Sequence, residues 1–103
     1  MKQKLLIDAI EKNNIEWSTH ALQRMLQRGI SRAAVKNCIC EGELIENYPD
    51  DTPFPSALFF GKWQNQPLHT VIAYDASNHK VFLITAYRPD EKHFQADFKT
   101  RKK

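Results

Sequence analysis

The segment Ser18-Thr19-His20-Ala21-Leu22-Gln23-Arg24-Met25-Leu26-Gln27-Arg28 holds a combination of residues suited to chemistry. Wound into a helix at about 100° per residue, it gathers His20, Arg24, Gln27 and Arg28 on one side and Leu22, Met25 and Leu26 on the other. An imidazole titrates near neutrality and a guanidinium fork matches phosphate oxygens, so His20 one turn from Arg24 suits phosphodiester chemistry. A histidine at the head of a surface helix with an arginine four residues on is, by itself, more often simply exposed.

A second group falls in the C-terminal half. His69 alternates in phase with Val71 and Ala73, opposite Leu68, Thr70, Ile72 and Tyr74, a pattern that a core histidine also satisfies. Thr85 and Tyr87 share phase with Val81 and Leu83 and bring two hydroxyls to a strand end beside Arg88, although both are ordinary strand formers. Cys38-Ile39-Cys40 lacks the spacing of zinc motifs and the four histidines are scattered, so no metal site is expected. Neither a glycine-rich phosphate loop nor a G-x-S-x-G elbow is present.

The elements that must position these residues are legible as a change of period. Leu5, Leu6, Ala9 and Ile10 within Lys2 to Lys12 predict a first amphipathic helix, broken at Asn13-Asn14. Ile15 to Trp17 are extended, Ser18 caps a helix over Thr19 to Arg28, and Gly29 stops it; Ser31 caps a third helix to about Glu41, stopped by Gly42 in the same way. Strands follow at Leu44 to Tyr48, Ser56 to Gln64, Leu68 to Asp75 and Lys80 to Tyr87, with turns at Asn65-Gln66-Pro67 and Ala76 to His79. Glu91 to Lys103 is expected to add a short helix or strap and a frayed basic tail from about residue 99. The expectation is one α+β domain over 1–103, with N-terminal helices packed on a four-stranded antiparallel sheet.

Composition narrows the class. The chain has 103 residues, 42% of them apolar and 26% charged, which suits a packed fold with its own core. Two cysteines one residue apart do not readily bridge, and no signal-length apolar run opens the chain, so a reducing, cytoplasmic setting without membrane contact is expected. The net charge is only +3, but Arg24, Arg28 and Arg32 lie along one segment and Lys99, Arg101, Lys102 and Lys103 crowd the end, while Glu41, Glu43, Glu46, Asp50 and Asp51 form an acidic middle. Charge separated in this way can offer a positive face to a polyanion, and equally can be a solvated helix and tail.

Four ordered blocks, Ser18 to Ser31, Gly42-Glu43-Leu44-Ile45-Glu46, Leu68-His69-Thr70-Val71-Ile72 and Ile84-Thr85-Ala86-Tyr87, resemble a bacterial domain-of-unknown-function family (DUF4258) allied to RelE-like toxins. The resemblance runs from about Trp17 to Arg101, with Phe94 where the family commonly has tryptophan. It implies the RelE-like fold of the barnase, EndoU, colicin and RelE superfamily and metal-independent RNA cleavage without a cofactor. It also implies an RNA substrate, free or on the ribosome, and a cognate antitoxin, here with a zinc-binding domain. Carried over by position, it matches His20, Arg24, Arg28, His69, Thr85, Tyr87 and the Phe94 to Arg101 ending. On the ribonuclease reading His20 or His69 takes acid or base work, Arg24 and Arg28 the scissile phosphate, Thr85 and Tyr87 its orientation, and Arg28, Arg88 and Arg101 bind RNA. The rival expectation is a non-catalytic RNA- or protein-binding module, in which Phe59, Phe60 and Trp63 stack bases.

Overall fold

The computed structural model describes residues 1–90, 94 and 96–101. Its elements are α1 (Gln3–Glu11), β1 (Ile15–Trp17), α2 (Thr19–Arg28), α3 (Arg32–Glu41), β2 (Glu43–Tyr48), β3 (Ser56–Trp63), β4 (Gln66–Asp75) and β5 (Lys80–Tyr87). Serine caps start the second and third helices: Ser18 Oγ accepts from Ala21 N–H at 3.1 Å, and Ser31 Oγ accepts from Ala34 N–H at 3.0 Å.

The two glycine stops differ. Gly29 turns left-handed, φ 67°, and donates its N–H to Leu26 C=O, a conformation that favours glycine. Gly42 is extended instead, and the need for glycine there is room, because a Cβ would lie 2.2 Å from Cys38 C=O oxygen and 2.4 Å from that of Phe60.

The α+β fold has three helices and a sheet of five strands in the order β1-β5-β4-β3-β2. This corrects the expected four-stranded antiparallel sheet. β2 to β5 pair antiparallel in sequence, but Ile15–Trp17 pairs parallel with Val81–Leu83, making the sheet mixed. Three residues are too few to announce a strand by alternation, and their partner lies near the far end of the chain. The β3–β4 turn is also shorter than expected. Gln64 and Asn65 both have positive φ, as two-residue hairpin loops require, and Gln66 and Pro67 already pair with Trp63 and Lys62.

The helices cover one face of the sheet. Leu6, Ala9 and Ile10 from α1, Ala21 and Met25 from α2, and Val35, Cys38 and Ile39 from α3 join Phe59, Leu68, Ile72, Val81, Leu83 and Ala86 in one core. α2 sets only Ala21 and Met25 deep into it, and Leu26, expected on the apolar side, is 83% exposed. Leu26 lies about 120° around the helix from the Ala21–Met25 direction, beyond the reach of the sheet.

A bulge in β5 decides what the opposite face carries. Val71 pairs with Thr85 but Ile72 pairs with Leu83, so Ile84 is the extra residue. Val81 and Leu83 face the helices before it and Ala86 does so after it, which turns Thr85 and Tyr87 to the other face. The expectation that Thr85 and Tyr87 share the phase of Val81 and Leu83 is therefore wrong. On that other face Phe94 and residues 96–101 lie against His69, Phe60 and β2. Of the expected ending over 91–103, residues 91–93, 95, 102 and 103 lie outside the described residues.

Candidate functional site

Where β5 ends beside the C-terminus of α2, a cleft of about 540 Å³ is lined by Arg28, Tyr87, Arg88, Pro89, Asp90, Phe94 and Arg101. Each guanidinium is placed by a different element. Arg28, at the edge of the buried face of α2, reaches over β5 and donates from Nη1 to Ala86 C=O at 2.8 Å and to Thr85 Oγ1 at 3.3 Å. Arg88 turns back to the end of α2 and donates to the carbonyls of Arg28 and Gly29, the latter at 3.2 Å. Those carbonyls are the negative end of the helix, which favours a cation.

Arg101 enters from the opposite side. Its Nε and Nη2 donate to the two carboxylate oxygens of Glu46 at 2.7 and 3.0 Å, and its guanidinium lies 5.0 Å from the centre of the Phe94 ring. The fork keeps Arg101 charged and holds Glu46 below the usual carboxylate range. Glu46 also accepts from the Tyr48 hydroxyl. Three guanidiniums thus share the cleft's surroundings with the carboxylates of Asp90 and Glu46.

Behind Tyr87 lies His69. It is wholly buried, with the rings of Phe94, Tyr87 and Phe60 centred 4.5, 5.3 and 6.0 Å away. Its Nδ1 is 3.3 Å from the Tyr87 hydroxyl and its Nε2 is 2.5 Å from the Phe98 carbonyl oxygen. Burial holds the imidazole below its ordinary range, opposed by the Phe98 contact and the charge of Glu46. Burial likewise pushes the Tyr87 phenol up, so it stays protonated at neutral pH.

The predicted site residues therefore divide. Arg28, Tyr87, Arg88 and Arg101 line one cleft, Thr85 touches it through Arg28, and His69 does so through Tyr87. His20 and Arg24 are exposed on α2 and line none of the cavities described, His20 standing about 12 Å from Arg28 along the helix axis. Reasoning from sequence missed Glu46, read only as part of an acidic middle, and the Phe98 carbonyl, which carries no side-chain signal. Phe59 is buried in the core, which removes it from any base-stacking surface. Cys38 is buried too, its thiol pushed up to about 11, so it offers no thiolate.

A family model described as "Domain of unknown function (DUF4258)" matches residues 17–88. The chain belongs to this family. The DUF4258 span begins at the end of β1 and closes on Arg88, so it holds His20, Arg24, Arg28, His69, Thr85, Tyr87 and Arg88. It ends short of Arg101, to which the resemblance read from the sequence had extended, and leaves α1 outside. Neither the curated proteins nor the solved structures give a match. Among the described residues no helix is long and apolar enough to cross a membrane.

Proposed function

We propose that this DUF4258 chain is a metal-independent endoribonuclease of RelE-like type, the toxin of a cytoplasmic toxin–antitoxin pair, cleaving RNA through attack of the substrate's own 2′-OH on the adjacent phosphate. One observation carries the reading: Arg28, Tyr87, Arg88 and Arg101 line a single cleft, with a histidine directly behind the phenol of Tyr87. Guanidiniums gathered where a phosphate gains charge stabilise the transition state, and a phenol backed by an imidazole can move a proton. The cognate antitoxin would be the partner that covers this cleft.

A labelled oligoribonucleotide incubated with the purified chain in chelator should yield a fragment ending in a 2′,3′-cyclic phosphate. A single 2′-deoxy substitution at the cleaved position should block it. Arg28→Lys keeps the charge and loses the fork, and should lower kcat about 100-fold. A second reading, a non-catalytic RNA-binding module, is favoured by the complete burial of His69 and by the place of His20 outside the cleft. Oligoribonucleotide bound but left intact would decide for that module.

A further inference from the structure

The carbonyl of Phe98 fixes more than packing. A carbonyl only accepts, so at 2.5 Å the proton between it and His69 belongs to Nε2. A neutral imidazole has one N–H, which leaves Nδ1 bare and able only to accept. The hydroxyl of Tyr87, 3.3 Å away, must then donate inward, turning its lone pairs toward the cleft.

The segment that supplies this carbonyl is closed on itself around Phe98 and tied to β2 beyond it. Phe98 has φ 56°, a left-handed conformation uncommon outside glycine. The Asp97 carboxylate accepts from the N–H groups of Lys99 and Thr100 at 2.9 and 3.0 Å, closing a local turn. Lys99 then pairs with Glu43 at 3.2 Å and Arg101 with Glu46, both on β2.

We propose that residues 96–101 are a working part of the cleft: they hold the His69 Nε2 proton on the Phe98 carbonyl, and thereby make Tyr87 the cleft's proton acceptor, while bringing Arg101 to its wall. The chemical consequence rests on the ribonuclease reading. The 2′-oxygen bonds to phosphorus as its proton passes to the Tyr87 oxygen, and the phenol proton passes to His69 Nδ1. The bond from phosphorus to the 5′ oxygen breaks, and water protonates the departing oxygen. The hydroxide so formed takes the proton back from the imidazolium through the phenol. His69 is in this sense a positioning residue that acts through Tyr87. Among the described residues, the charged and titratable groups that face it are Glu46 from β2, Arg101 from the 96–101 segment and Tyr87 from β5.

The test combines ring ¹⁵N NMR of His69 with cleavage of a single-stranded oligoribonucleotide by the full chain. The parent should carry its proton on Nε2 with Nδ1 bare, and the folded double variant E43Q/E46Q, which frees the segment from β2, should mix the two tautomers. His69→Asn keeps an acceptor for the phenol but cannot take its proton. It should lower kcat about 100-fold with KM within about twofold, and flatten the dependence of kcat on pH. A proton on Nδ1 in the parent, or an unaltered tautomer in E43Q/E46Q, overturns the proposal. If the tautomer behaves as expected but no RNA is cut, the tie between segment and histidine stands and the ribonuclease reading falls. If RNA is cut and His69→Asn matches the parent, the proton relay falls and the ribonuclease reading stands.

Discussion

Among the residues, His69 has a protonation state that must register as stability. Its pKa is lowered in the folded chain, so above about 6.5 the imidazole is neutral folded or unfolded and costs nothing. As pH falls below that value the unfolded chain takes up a proton that the buried ring refuses, and stability drops until the folded value is passed. The melting temperature should therefore decline between pH 7.5 and 5.5, and His69→Phe should decline less over the same interval. Circular dichroism melts of the two proteins check this; parallel curves would mean that His69 is not the group responsible. The sequence made His69 visible as a residue in strand phase, but its partners are a phenol eighteen residues on and a backbone carbonyl near the far end of the chain. No local pattern encodes that meeting.

At the scale of elements, α3 docks on β3 through a lack of side chain. A Cβ on Gly61 would lie 3.1 Å from Cys38 Cα and 3.2 Å from its Sγ, closer than ordinary contact, so Gly61→Ala requires Cys38 to give by a few tenths of an ångström. Overpacking of this kind costs about 1–3 kcal/mol, to be read as a lower urea midpoint at unchanged slope. The caps at Ser18 and Ser31, the left-handed Gly29 and the antiparallel run β2 to β5 were legible in sequence because each follows from neighbours along the chain. The Ile84 bulge was not, since strict alternation from Val81 assigns Tyr87 to the wrong face. One extra residue thus decides whether that hydroxyl meets the core or the cleft. The same logic explains α2: a polar stripe running from His20 to Arg28 is readable, but only its last arginine comes within reach of β5.

For the molecule as a whole, a net charge of +3 is too small to draw a polyanion over its entire surface, so any affinity for RNA should be local to the cleft. With two or three phosphates neutralised by Arg28, Arg88 and Arg101, the logarithm of the binding constant for single-stranded RNA should fall against the logarithm of salt with a slope of about −2. Fluorescence anisotropy with a 2′-O-methyl oligonucleotide, which binds without being cut, measures it; a slope near zero would place the arginines in packing alone.

The parallel pair of β1 and β5 has a consequence in time. Ile15 finds its partner only at Val81, and Arg28 rests on the carbonyl of Ala86, so β1 and the end of α2 have no sheet to join until β5 has been made. Contacts this distant in sequence form late, because the intervening loop must be closed first. During synthesis α1, β1 and α2 would leave the ribosome well before β5, and the arginine cleft would assemble only after it. A cleft wired in this order has nothing to offer any partner until β5 has left the ribosome.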